Sequence, residues 1–369
     1  MTSRIRAGHR AAIGPTLRRL AVSVAALAAL AALGGLVACN LDKVLSVDAP
    51  SRVLPGDLEN PANARVIING VVADFECAFG SYTLVGGTVG EELHDASVQS
   101  QWWVIDRRSF GPSGSIYSTG TCARTSGGVY GPLSTARWQA DNAIRLLESW
   151  SDAQVPGRTD LLAKAYAYAG YSYLLLGEAM CSAAVDAGPE LSRDQLFALA
   201  EDRFTSAIAD ATTSKSDSIR HLALVGRARA RLDRGHGSEA AADARLVPAG
   251  FQWNATFTAN DPLRENQVFV ANRRSLTMTV DEPYRSLSFA GQPDPRVATT
   301  LETGRKGPDQ ETVLYYQNKY LTAGAPIPLA RYAEAQLIIA EVDGGQAAVD
   351  IINALHDKAG LPHFTSTDP

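Results

Sequence analysis

Once its first 38 residues are set aside, little in this 369-residue chain marks a familiar chemistry. No later segment stays apolar for the ~20 residues that a membrane-spanning helix needs. Cysteine is scarce, four in all, and no Cys-x-x-Cys or His-x-x-x-His pair sets up a zinc site. No Gly-x-Ser-x-Gly elbow is present, and the later histidines (His94, His221, His236, His356 and His363) show no pairing pattern. Gly86-Gly87-x-x-Gly90 lacks the Lys-Ser/Thr of a phosphate loop and the strand–helix context of a dinucleotide site, so it reads as a turn. Positive charge is short as well. Residues 39–369 carry 29 Lys+Arg against 39 Asp+Glu, a net charge of −10, which argues against a nucleic-acid partner. No metal or cofactor is expected. A glycosidase would need two carboxylates facing each other across a cleft, an arrangement that a sequence leaves open.

What is present begins at the N-terminus. Arg4, Arg6, Arg10, Arg18 and Arg19 precede an uncharged block, Leu20 to Ala38, and no acidic residue occurs before Cys39. A basic stretch, an apolar stretch and small residues at the exit describe a secretory signal peptide. A transmembrane helix is the competing reading, because the block has about the required length. Its alanine content and Gly34-Gly35 make insertion weak, and it closes on Leu36-Val37-Ala38-Cys39, which resembles the lipobox of bacterial lipoproteins. That resemblance implies cleavage after Ala38, a diacylglycerol on the Cys39 thiol and an acyl chain, such as palmitate, on the new amino group. Several chains anchor firmly where one binds marginally. Asn40, in place of the Asp that retains such proteins at the inner membrane, favours the outer membrane. The remaining 331 residues suffice for one large or two ordinary domains.

Cys77, Cys122 and Cys181 then allow three pairings with one thiol left over. Cys77–Cys122 is favoured, both lying among Gly and Ser; Cys181, ending an apolar helix, equally suits a buried thiol. Residues 60–79 read as a helix with Val66, Gly70, Ala73 and Cys77 near one face. The Gly/Ser/Thr-rich stretch from Gly80 to Pro132 reads as loops with short helices. From Pro132 helical periodicity takes over, with Trp138, Ile144 and Leu147 on a first helix and Leu161, Ala165, Tyr168, Ser172 and Leu176 on a second. A third opens on a Ser192/Gln195 capping box and buries Leu196, Ala200, Phe204, Ala207, Ile208 and Ala211. Helices to Arg234 and from Ser238 follow. After Phe251 the period is lost until Pro326, where Pro, Gly and alternating Thr/Val/Tyr suit loops and short strands. The last helices, joined at Gly344-Gly345, place Ala333, Leu337 and Ala340, then Val349, Ile352, Leu355 and His356, on their packing faces.

Paired helices with small residues at their crossings resemble tetratricopeptide repeats: "YAGYSYLLLGEA" and "AEDRFTSAIADA" are similar to the repeat signature at about 34 residues' spacing. Further pieces occur in order along the chain: "DPRV" at Asp294–Val297, Lys319-Tyr320, Pro326-Ile327-Pro328, Arg331, Glu334, Ala340-Glu341, Asn353 and Ala359-Gly360-Leu361-Pro362. Together with the lipobox they resemble the SusD/RagB family of outer-membrane nutrient-binding lipoproteins, from Cys39 to Pro362. The fold expected is mostly α: tetratricopeptide-like helix pairs in an α-α superhelix, with long irregular loop-rich insertions. Its expected organisation is a signal peptide at 1–38, a loop-rich region at 39–130, helical repeats at 131–250, an irregular region at 251–328 and a C-terminal helix pair at 329–369. By the family's pattern that pair is expected to be shortened or truncated, since members continue past the Gly-Leu-Pro turn. The resemblance implies a non-enzymatic cell-surface protein, anchored through Cys39, that captures oligosaccharides or peptides for a SusC-like TonB-dependent transporter.

Sugar binders stack aromatic faces on pyranose rings, so the aromatics of the irregular regions are the candidate contacts: Trp102, Trp103, Tyr117, Tyr130, Trp253 and Tyr284. Trp102 and Trp103, neighbours in an extended segment, would point to opposite faces, leaving at most one for a ligand. Trp138 and Trp150, on a helix, read as core or rim. Glu91, Glu92, His94 and Asp95 cluster, but consecutive acids at a helix start are ordinary surface residues. Three readings stand: a nutrient-binding lipoprotein, a repeat scaffold that binds only proteins, and a lipid-anchored hydrolase.

Overall fold

The computed structural model describes residues 59–109, 111, 115–123 and 126–365. The expected signal peptide, the lipobox-like stretch and the expected lipidation site Cys39 lie outside the described residues. Among the described residues eleven helices dominate, accompanied by five two-stranded antiparallel ribbons. The first helix, α1 (Ala64–Val89), is entered through a short 3-10 turn in which the Asn60 side chain accepts from the Ala62 N–H and Pro61 supplies the fixed φ of a first turn. Strand β1 (Leu93–Asp95), short helices α2 (Ser100–Asp106) and α3 (Ile116–Thr119), and then α4 (Tyr130–Ser149) and α5 (Arg158–Ala179) follow. Strands β2 (Ser182–Ala184) and β3 (Glu190–Ser192) form a hairpin leading into α6 (Arg193–Ser214), α7 (Asp217–Asp233) and α8 (Gly237–Ala244). The irregular region holds β4 (Gln252–Ala255), α9 (Gln267–Phe269) with a π-helical turn after it, β5 (Met278–Val280), β6 (Ser288–Phe289), β7 (Gln292–Pro293), β8 (Thr299–Lys306), β9 (Val313–Gln317) and β10 (Ile327–Arg331). Helices α10 (Tyr332–Asp343) and α11 (Gly345–Ala359) close it. No described helix is long and apolar enough to cross a membrane.

Helices that are successive in the stack pack on one another: α1 on α4, α4 on α5, α5 on α6, α6 on α7, α7 on α8, α8 on α10 and α10 on α11. That is the α-α superhelix, and small residues let it close. Phe204 of α6, fully buried, sits between Gly170 of α5 and Gly226 of α7; a Cβ at Gly170 would lie 2.7 Å from its ring. Phe197 occupies the matching notch at Gly177. The ring of Tyr171 meets Phe204 edge-on, centroids 5.0 Å apart. Both hydrogen bonds of the Ser192/Gln195 capping box are made, at 3.3 and 2.8 Å. Charge is taken inside only with partners. Arg229 lies between Glu178 (2.6 Å) and Glu334 (3.6 Å), and the Tyr82 hydroxyl donates to Glu178, so one cluster ties α1, α5, α7 and α10.

Several sequence expectations are corrected. The helix expected to stop near Gly80 runs unbroken to Val89, so Gly86 and Gly87 are helical and only Gly90 ends it. Tertiary contact overrides weak propensity there: Gly80 meets Phe257 and Gly87 meets Leu93. Its core face is Ile68, Val71, Phe75 and Ala78, whereas Val66 is exposed. Glu91 and Glu92 therefore follow a helix and do not start one. Trp138 is exposed, because Leu133, Ala136, Ala140, Ile144 and Leu147 take the buried stripe of α4. Leu337 is likewise outside, the α10 core face being Ala335, Ile338 and Ile339. Cys181, just past the end of α5, is exposed and free, while Cys77 and Cys122 are disulfide-bonded with Cα atoms 5.6 Å apart.

Candidate functional site

A cleft of about 110 Å³ opens where the C-terminal half of α1 meets the irregular region. Thr83 and Gly87 form one wall, and Glu92 and Leu93 continue it into β1. Leu93 pairs with Val280, and the Asp281 N–H donates to the Glu92 carbonyl at 3.0 Å, which fixes β1 against β5. Asp281 then caps the turn Glu282–Tyr284, accepting from the Glu282 N–H at 2.7 Å, and so aims Tyr284 at the cleft. Thr299 and Gln317, opposite each other in the β8–β9 pair, make the far wall with Lys319 and Tyr320.

A buried polar frame holds that far wall. Asn272, with no exposure, donates to the carbonyls of Met278 and Tyr315, each at 3.0 Å, and accepts from the Gln317 N–H at 2.9 Å. Thr279 adds a second tie, donating to Val313 O at 3.0 Å and accepting from Tyr315 N at 2.7 Å. Gln317 spends its amide on the backbone of Tyr320, donating at 2.8 Å and accepting at 2.7 Å. Arg285 covers the Tyr315 ring at 4.6 Å. Every member is satisfied, which is the condition for a polar network to rigidify a fold.

Three groups are left for a ligand. Among the described residues, the Glu92 carboxylate, the Tyr284 hydroxyl and the Lys319 ammonium make no hydrogen bond or ion pair, although all three line the cleft. Burial raises the Tyr320 hydroxyl pKa, Arg331 offsetting and Glu92 adding to it, so Tyr320 stays a neutral donor. Leu93, Val268, Val280 and Val297 supply apolar lining. The enclosed volume holds several waters and no whole sugar ring. A ligand would therefore lie along the mouth with one substituent inside. No group of three His, Cys, Asp or Glu suited to a metal occurs among the described residues.

Of the six aromatic candidates, only Tyr284 reaches this cleft. Trp102 and Trp103 lie on a helix and not on an extended segment, about 100° apart around it. Trp102 is 3% exposed and packs on Gly127, where a Cβ would lie 2.5 Å from its ring, so it belongs to the core. Trp103 is half out, its N–H near the Ser97 carbonyl (3.4 Å) and Arg107 over its ring at 5.7 Å. Tyr117 donates to Ala179 O at 2.7 Å, and burial pushes its hydroxyl up to about 12. Tyr130 donates to Ala184 O at 2.8 Å. Tyr117 fastens the irregular segment to the end of α5, and Tyr130 fastens the start of α4 to β2. Trp253, on β4, donates to the Tyr168 hydroxyl at 3.3 Å. Thr299, Lys319 and Tyr320 are site residues that no local pattern marks, Lys319-Tyr320 standing out only through the family resemblance; Glu92 stands out in its acidic cluster but reads as ordinary surface.

No protein-family model matches the sequence, and no curated protein is similar enough to count as a relative. Solved structures are similar in fold. A SusD superfamily protein from Parabacteroides distasonis aligns with a TM-score of 0.57 at 12% identity, over 83% of this chain and 82% of that one. Surface glycan-binding protein A from Bacteroides uniformis aligns at 0.59 and 11%, over 81% of each chain. Surface glycan-binding protein A from Bacteroides thetaiotaomicron, solved in complex with laminarihexaose, aligns at 0.55 and 13%, over 82% and 85%. The chain thus has the mostly helical, tetratricopeptide-like fold of the SusD superfamily.

Proposed function

We propose that this protein binds oligosaccharides at the α1–β5 cleft, without turning them over, as a cell-surface lipoprotein anchored through Cys39 that passes its ligand to a SusC-like transporter. The observation that carries the reading is the set of uncommitted polar groups, Glu92, Tyr284 and Lys319, grouped beside the Tyr320 ring on a rigid frame. A sugar needs that mixture: an aromatic edge for its C–H face and both acceptors and donors for its hydroxyls. The glycan-binding neighbours of the same fold support the choice of ligand.

Calorimetric titration of the soluble chain with laminarihexaose, maltohexaose and xylohexaose tests it. Binding of at least one is expected, weakened about 2- to 12-fold by Tyr284→Ala, the factor that corresponds to an aromatic contact of ~0.5–1.5 kcal/mol. Wild-type affinity in that variant would remove the cleft from the account. The anchor and the hand-over have their own tests: Cys39→Ser should release the protein from outer membranes, and a TonB-dependent barrel should co-purify with the lipidated form in mild detergent.

A further inference from the structure

A second recess lies on another side of α1. It is a hollow of about 290 Å³, near the lower end of the ~300–1,000 Å³ range of small-molecule sites. Asp74 of α1 forms one side, the first turns of α4 (Gly131, Thr135) another, and Thr121 with Cys122 the rim. Its shape is fixed by the chain around it. The Cys122 half of the disulfide is bonded to α1, and Ser81 donates to the Gly128 carbonyl at 2.7 Å. The Gly120 and Gly128 backbones touch so closely that neither position has room for a Cβ. The rim is therefore built before any ligand arrives.

Trp138 stands one turn along α4 from Thr135 and is 50% exposed. Helical side chains lean toward the helix N-terminus, so the indole overhangs the turn that carries Ser134 and Thr135, at the edge of the hollow. Half of this tryptophan's surface stays open to a partner. Gln139 hydrogen-bonds the Asp74 carboxyl, and burial raises its pKa. Among the described residues no Lys or Arg lines the hollow, and a carboxylate does, so an anionic ligand is disfavoured. The larger surface recess between α4, α5 and α6, about 540 Å³, lacks these features. Two of its polar pairs are already engaged, Tyr166 with Glu148 at 2.5 Å and Arg158 with Asp152 at 2.8 Å.

We propose that the hollow and the Trp138 ring form a second saccharide-contact site, which takes a neutral sugar unit with its apolar face on the indole and its hydroxyls on Asp74 and Thr135. This site rests on its own residues and stands or falls separately from the cleft.

The test is calorimetry on the full chain with laminarihexaose, maltohexaose and xylohexaose, comparing wild type with Trp138→Ala, Asp74→Asn and Tyr284→Ala. Two saccharide sites per wild-type chain are expected for at least one probe. Trp138→Ala should leave one, Asp74→Asn should weaken that same site about tenfold, and Tyr284→Ala should affect only the other. Trp138→Ala should also remove part of the tryptophan fluorescence change on saturation. Thermal melts followed by circular dichroism check that each variant is folded, which the exposure of Trp138 favours. If Trp138→Ala and Asp74→Asn keep wild-type stoichiometry and affinity, the second site is overturned while the cleft stands. One wild-type site that Tyr284→Ala abolishes has the same meaning. No heat from any probe with wild type overturns both sites, and binding of a basic peptide that Trp138→Ala abolishes, without sugar binding there, replaces this ligand class.

Discussion

At Phe204 the stack depends on two absent methyl groups. Gly170 and Gly226 each leave room for one side of the ring, and a Cβ at Gly226 would come closer to it than one at Gly170. Gly226→Ala should therefore cost about 1–3 kcal/mol, the usual penalty for overpacking, measured as a lower urea midpoint with unchanged slope. Combining it with Phe204→Leu should recover part of the loss, since the smaller side chain vacates the space. A fully additive double variant would refute the contact. Asn272 plays a comparable part beside the cleft. Asn272→Ala strands the Met278 and Tyr315 carbonyls and the Gln317 N–H, three buried groups at once. Loss of stability above about 2 kcal/mol is expected, together with weaker saccharide binding at the cleft. A stable variant that binds normally would show that the frame is dispensable.

Among the elements, the disulfide joins α1 to the loop before α4 across 45 residues of sequence. Closing a loop of that length stabilises by ~2–4 kcal/mol. Dithiothreitol should lower the melting temperature of wild type and leave a Cys77→Ala/Cys122→Ala variant unchanged. Equal melts with and without reductant in wild type would contradict the bridge. Elements also differ in how far their residues announce them. Helices α5 and α6 are legible for different reasons: α5 is a long apolar run, buried on nearly every face from Leu161 to Gly177, whereas the buried stripe of α6, Leu196 to Ala211, keeps the helical period. The second half of α1 is not, since Gly80, Gly86 and Gly87 favour loop locally and only partners distant in sequence make them helical. The cleft was hidden for the same reason. Glu92, Tyr284 and Lys319 are spread over more than 220 positions, and it is strand pairing between β1 and β5 and between β8 and β9 that brings them together. Tyr284 could be named in advance because an aromatic in irregular sequence is a small class. Trp102, Tyr117, Tyr130 and Trp253 belong to that class too, and each turned out to hold the irregular regions on the helices.

For the molecule as a whole, acid should be a stress. Its ion pairs link consecutive helices: Arg231 and Arg234 of the α7 end hold Glu201 of α6, each at 2.7 Å, and Arg227 and Arg231 grip Asp243 of α8 at 2.8 Å. Burial alone would raise the Glu201 pKa, but the two guanidiniums outweigh it and keep it below its ordinary 4.5. A carboxyl with a lowered folded pKa stabilises fully above its unfolded value and loses that contribution as pH falls through the folded one. Wild type should thus exceed Glu201→Gln in melting temperature at pH 7, with the gap closing as the pH is taken below about 4.5. A gap independent of pH would assign the effect to packing.

Helix α1, 26 residues in one rod about 39 Å long at ~1.5 Å per residue, borders both recesses. Asp74 faces the hollow and Thr83, nine residues later, faces the cleft. Nine steps of about 100° return half a turn out of phase, so the two recesses look away from each other across the helix. A single saccharide strand would have to wrap around α1 to fill both. With both recesses occupied as proposed, two strands, or two branches of one, would be held back to back. The expected behaviour is then that of a cross-linker: short oligosaccharides fill each recess independently, whereas a long polysaccharide is bridged into a network that turns cloudy near equivalence and clears when either partner is in excess.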